Sequence, residues 1–150
     1  MKVYKMKRKK TIFIISSNYY SDVSKKLEKD AIDVIKKNKM DFILENVTGA
    51  FEVPAIIGFT KYKFDGYVAL GCVIRGETSH YDYVCKENAN AIMKLSLEGL
   101  AIGYGILTVE NYRQALARAN TTKDSPGKGR VAALACINQM KLKIKYTNGS

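Results

Sequence analysis

One histidine and three cysteines are all that this 150-residue chain offers of the side chains most used to hold metals or attack substrates. The cysteines, Cys72, Cys85 and Cys136, are odd in number and stand at spacings unlike any CxxC pair. That excludes a disulfide framework and a cysteine-built zinc site. They are read as small, reduced core residues of a cytoplasmic protein. No apolar run approaches the ~18 residues that span a bilayer, so no membrane role is expected. The basic opening MKVYKMKRKK leads only into the short run TIFII, with no small-residue cleavage site after it, so no export signal is read. Both phosphate-binding glycine fingerprints are missing, GxGxxG and GxxxxGK[ST] alike, and a nucleotide cofactor is therefore not indicated. There is no internal repeat and no low-complexity linker.

What is present is apolar and basic. With 47% hydrophobic residues the chain suffices for one domain with a real core and is too short to divide comfortably into two. A net charge of +11 invites a nucleic-acid reading. Its distribution argues against one: the excess lies in the first ten residues, in the pairs Lys25–Lys26 and Lys36–Lys37, and in KLKIK near the C-terminus. Those are places where solvated helix faces and tails carry lysine anyway. Lysine also greatly outnumbers arginine, the better residue for bidentate recognition of phosphate or base edges.

Along the chain, strand and helix patterns alternate. TIFII (11–15) reads as a buried strand. SDVSKKLEKDAIDVIKKN (21–38) sets Val23, Leu27, Ala31, Val34 and Ile35 at helical spacing, with Ser21 or Asp22 available as N-cap. Strands are expected at 41–48, 65–74 and 100–108, and helices at about 51–63, 79–98, 110–119 and 129–146. Pro54 suits the first turn of its helix, and Gly99 the C-terminal cap of its own. This alternation predicts an α/β fold whose parallel sheet is covered on both faces by right-handed crossovers.

Such sheets bind ligands at the carboxyl ends of their strands. Four segments are thereby selected: SSNYY, TGAFE, RGETSH, and a turn placed around Gly103 to Thr108. The RGETS turn precedes a helix, so its amides and the Thr78 hydroxyl can meet an anion such as a small phosphate. His80 follows immediately. Histidine, with an unperturbed pKa of ~6.5, gives and takes protons near neutrality.

VTGAFEVP, LGCVIRGETSHYDYVCKE, GILTVEN followed by QALARA, and GKGRVAALACINQM occur in this order and spacing. Together they resemble the 6,7-dimethyl-8-ribityllumazine synthase family over roughly residues 11 to 142. The resemblance implies a flavodoxin-like three-layer α/β/α sandwich with a four-stranded parallel sheet, behind a basic tail of residues 1–10. It implies a riboflavin-pathway transferase that condenses 5-amino-6-(D-ribitylamino)uracil with 3,4-dihydroxy-2-butanone 4-phosphate, using no metal and no organic cofactor. It also implies a homo-oligomer, a pentamer or a decamer of two pentamers, with active sites between subunits, and a functional link to riboflavin synthase. A lumazine or flavin carrier of the same fold is the alternative.

Residue by residue, the resemblance makes His80 the acid/base group. Tyr19 becomes the aromatic that stacks on the pyrimidine, with Ala50, Phe51 and Glu52 beside it and Glu52 accepting from the ribityl hydroxyls. The backbone of Cys72, Val73 and Ile74 reads the ring edge, which leaves the Cys72 thiol no nucleophilic role. Tyr104, where the family usually has phenylalanine, joins this set from the neighbouring subunit. Thr78 and the backbone of Glu77 take the butanone phosphate, with Arg118 and Lys128 supplied by that neighbour. NTTKDSPGKG, the segment joining the last two helices, is about two residues longer than the family's common form. Arg75 lies within the motif without an assigned partner.

Overall fold

The computed structural model describes residues 7–147. Four strands, β1 (Thr11–Ser17), β2 (Asp41–Val47), β3 (Gly66–Ile74) and β4 (Ile102–Val109), form one parallel sheet in the order β2-β1-β3-β4. Helices α1 (Ser21–Lys37), α2 (Val53–Phe59), α3 (His80–Leu97), α4 (Tyr112–Ala119) and α5 (Lys128–Thr147) cover it. Period-2 alternation divides the sheet's side chains between two cores. Ile12, Ile14, Val68, Leu70 and Leu107 pack with Val23, Leu27 and Ile35 of α1, Ala115 of α4, and Ala133 and Ile137 of α5. Phe13, Ile15, Ala69, Ile102 and Ile106 pack with Val53 and Ile57 of α2 and Ile92 and Leu95 of α3. The result is the expected three-layer sandwich. No helix among the described residues is long and apolar enough to cross a membrane.

Several expected boundaries move, each for a local reason. β1 continues through Ser16 and Ser17, which pair with Asn46 and Val47, so the first ligand-facing loop shrinks to residues 18–20. Neither Ser21 nor Asp22 caps α1: Tyr20 holds the N-cap position without a side-chain bond, and Asp22 accepts from the Tyr112 hydroxyl at 3.3 Å instead. The helix expected over 51–63 begins as a short 3-10 turn, Ala50–Glu52, and ends at Phe59, beyond which Tyr62 takes φ 63°. Pro54 does sit in its first turn, and Gly99 follows α3 at φ 97°.

The fourth expected turn is not a turn. Gly103 to Thr108 lie inside β4, paired with β3, and Gly103 serves close packing instead of a turn, since a Cβ there would overlap the Ala132 carbonyl of α5. The connection begins only at Glu110. There Asn111 caps α4 by accepting from the Gln114 amide at 2.9 Å. Residues 1–6 of the basic tail lie outside the described residues. Its end is tied down by Arg8, whose guanidinium meets Asp65 at 2.7 Å.

Candidate active site

The chain reverses its direction of travel across the sheet between β1 and β3, the usual place for a ligand crevice. Here the pairing of the two strands stops at Ser16 opposite Leu70, while β3 runs on to Ile74. The β1-facing backbone edge of Cys72, Val73 and Ile74 therefore has no strand opposite it. A cleft of about 680 Å³ opens on this edge, three times the volume of the 230 Å³ hollow at Lys10 and Tyr62.

Tyr19 and Tyr20 form one wall. Their loop is held by Ser24, whose hydroxyl donates to the Ser17 carbonyl, and by the Asn18 amide, which donates to Val47 at 3.0 Å. Tyr20 packs into the core, and Tyr19 stands edge-on to it with ring centres 4.9 Å apart. Gly49, Ala50, Phe51 and Glu52 form the second wall. The Glu52 carboxylate folds back over Gly49, where any Cβ would come within 2.7 Å of it. Tyr19 is 69% exposed and Phe51 57%, so two aromatic faces border a cleft that one chain leaves open.

The third wall is the turn after β3 and the outer face of α3. Gly76, Thr78, His80, Tyr81, Tyr83, Val84 and Glu87 all line the cleft. Thr78 accepts from the His80 amide at 3.3 Å, and Ser79 gives α3 no side-chain cap. Of the first-turn amides, that of His80 is thus met by Thr78 and that of Asp82 by the Ser79 carbonyl at 3.0 Å, and this helix start lies against the cleft. Burial pushes the Cys72 thiol up to about 11, so it stays protonated and unreactive at neutral pH.

The structure gathers Tyr19, Ala50, Phe51, Glu52, Cys72, Val73, Ile74, Thr78 and His80 in this cleft. It does not bring Glu77, Tyr104, Arg118 or Lys128 into it. Glu77 is exposed on the turn beside the cleft. Tyr104 lies mid-strand in β4, Arg118 in the last turn of α4 donating to the Gln114 carbonyl at 3.3 Å, and Lys128 at the start of α5. Arg75 acquires partners within its own chain: Glu110 at 2.8 Å, Asp82 at 3.2 Å and the Tyr81 ring at 4.3 Å.

Sequence reading missed Tyr20, Tyr81, Tyr83, Val84 and Glu87. For Tyr83, Val84 and Glu87 the signal was there, since they follow His80 at helical spacing and so share its face.

A parallel α/β sandwich with an aromatic-walled cleft at its strand reversal has the architecture of an α/β domain that takes a small ligand there. The profile of the family described as 6,7-dimethyl-8-ribityllumazine synthase matches residues 9–143. Proteins of that name are similar to the chain throughout. The one from Bartonella tribocorum is 41% identical over 94% of this chain and 95% of its own length. That from Sphingopyxis alaskensis is 46% identical over 84% and 92%. A third from Rhizobium meliloti, 6,7-dimethyl-8-ribityllumazine synthase 1, is 40% identical over 88% and 90%. The chain belongs to the 6,7-dimethyl-8-ribityllumazine synthase family.

Proposed function

We propose that the protein condenses 5-amino-6-(D-ribitylamino)uracil with 3,4-dihydroxy-2-butanone 4-phosphate to form 6,7-dimethyl-8-ribityllumazine, the penultimate step of riboflavin biosynthesis. The observation that carries this reading is one cleft that joins an unpaired strand edge, two exposed aromatic faces, a helix start without a side-chain cap from Ser79 and the chain's single histidine. A flat, polar pyrimidine lies between Tyr19 and Phe51, with its edge hydrogen-bonded by the backbone of Cys72–Ile74 and its ribityl hydroxyls donating to Glu52. The phosphate of the second substrate docks at Thr78 and the neighbouring amides, Glu77 included.

The chemistry is proton traffic. The pyrimidine's amine adds to the ketone, water leaves to give an imine, phosphate is eliminated, and the ribitylamino nitrogen adds to the carbonyl so formed, closing the ring with loss of a second water. His80, beside the phosphate turn, takes the proton from the attacking amine and returns protons to the leaving oxygen. Holding both substrates together supplies much of the remaining acceleration.

Residues 11–150 are read as one working domain behind the basic tail, in the cytoplasm, passing its product to a riboflavin synthase. A homo-oligomer, pentamer or decamer, completes the site: Arg118 and Lys128, together with the ring of Tyr104, do not line the cleft of their own chain and serve the cleft of the next. Exposed apolar side chains support assembly, for Phe59 at the end of α2 is 75% exposed, and Met93 and Leu97, one turn apart on α3, are 60% and 82% exposed. Incubating purified protein with the two substrates and following lumazine absorbance tests the activity. Product formation supports it, and binding of lumazine without any turnover would establish the carrier instead.

A further inference from the structure

We propose that Asn88 and Tyr104 form a hydrogen-bonded positioning pair that sets the pyrimidine side of the cleft; this rests on the substrate assignment above. Asn88 lies two turns into α3 at a core position, on the face that also carries Val84, Ile92 and Leu95, and it is only 1% exposed. A polar side chain so placed needs partners for both ends of its amide. It has them. Its Nδ2 donates to the Ala50 carbonyl at 2.6 Å, and its Oδ1 accepts from the Tyr104 hydroxyl at 2.7 Å.

Three elements are thereby joined: β4, α3 and the Ala50–Glu52 turn. Ala50 is the hinge of the arrangement. Its carbonyl also accepts from the Val53 amide, and Phe51 and Glu52, the aromatic and the carboxylate assigned to the pyrimidine, extend from this pinned peptide. The Tyr104 hydroxyl is therefore committed to its own chain, while its ring, 39% exposed, remains available at the surface of β4. Burial raises the phenol to about 12, so it donates this bond across the physiological range. The turn at Thr78 and His80 lies at the N-terminal end of α3, two turns before Asn88, and neither its hydrogen bonds nor those of the pair link the two.

The test is a double-mutant cycle with Tyr104→Phe, which keeps the ring and removes one oxygen, and Asn88→Leu, which removes the whole bridge. Tyr104→Phe should raise KM for the ribitylaminouracil about 3- to 10-fold, the usual effect of one neutral hydrogen bond, with KM for the butanone phosphate within about twofold of wild type. Asn88→Leu should raise the same KM further, and the double variant should be no worse than Asn88→Leu alone, because the two residues act as one unit. Equal changes in both KM values, no change in either, or simple additivity would each overturn the proposal. If Asn88→Leu does not fold, Tyr104→Phe decides alone. Calorimetric affinity for the pyrimidine reads the same effect without turnover, so an inactive wild type would overturn the enzyme reading while the pair is still judged.

Discussion

The Nε of Arg75 lies 2.8 Å from a carboxylate oxygen of Glu110, and this bond joins the turn after β3 to the turn after β4. The same guanidinium reaches Asp82 in the first turn of α3 and covers the Tyr81 ring. Arg75 therefore fixes the start of the helix that carries His80. Arg75→Met keeps the stem and removes the charge. Because the pairs are partly exposed, the melting temperature should change little. KM for the butanone phosphate should rise by about 10-fold, since a misplaced binding turn costs far more in catalysis than in stability. Wild-type kinetics in this variant would make the three contacts incidental.

His80→Ala should lower kcat by roughly 10- to 10⁴-fold, the span of positioned acid/base catalysis, with folding and assembly intact because the side chain is exposed. Some turnover should persist, as the condensation is feasible without a catalyst. An unchanged kcat would take His80 out of the mechanism.

Much of this was legible in the sequence, for reasons that differ by residue. Strand and helix identities follow from apolar periodicity, which is local, so Ile12, Ile14, Leu27 and Ile35 declare their burial. What lay hidden depends on partners distant in the chain. Gly103 looks like a turn until α5 presses on it, and Asp22 looks like a cap until Tyr112 claims it. Asn88 gave only a faint signal, a polar residue at a core position of a helix, and its meaning came from Ala50 and Tyr104. The cleft's histidine and two of its aromatics, Tyr19 and Phe51, were read through their motifs. The unpaired edge of β3 was not, because it exists only in the register between β1 and β3.

The separation of Arg118 from the cleft of its own chain leads to a complementation test. His80→Ala and Arg118→Ala, each impaired alone, should regain activity above either variant when co-assembled, because some interfaces in mixed rings pair an intact His80 with an intact Arg118. Activity is measured on rings verified as mixed by mass. No recovery in such rings would mean that each site is built within one subunit.

Alkaline pH should destabilise the fold. Burial raises Cys72 from 9.0 to about 11, Cys136 from 9.0 to about 12 and Tyr104 from 10.0 to about 12. In each case the folded chain keeps a proton that the unfolded chain has already lost, so the unfolded state binds fewer protons and stability falls as pH rises. The contribution is fully present below about pH 9 and is lost as pH climbs through about 11 to 12. Melting temperatures from about pH 8 upward check this, with Cys136→Ala giving a shallower decline. A flat profile to about pH 11 would contradict it.

The loop between α4 and α5 bears on the size of the assembly. The family resemblance implies pentamers, decamers of two pentamers or shells of sixty subunits, with shell contacts between pentamers made at this connection. In this chain the longer segment is ordered against α1. Thr121 donates to Asp30 at 2.6 Å and accepts from the Gly127 amide at 3.0 Å, and the Thr122 amide closes on the Ser125 carbonyl at 2.8 Å. Pro126, whose ring fixes φ, lies just beyond. A loop so tied cannot fold away when a second pentamer approaches, whereas an isolated pentamer leaves it in water. The charge of +11 on every chain adds repulsion between pentamers unless an anion neutralises it. Isolated pentamers, or at most decamers, are therefore expected by sedimentation and light scattering at moderate salt. A particle with the mass of sixty chains would show that the loop packs between pentamers after all, and that its bond to Asp30 yields to that contact.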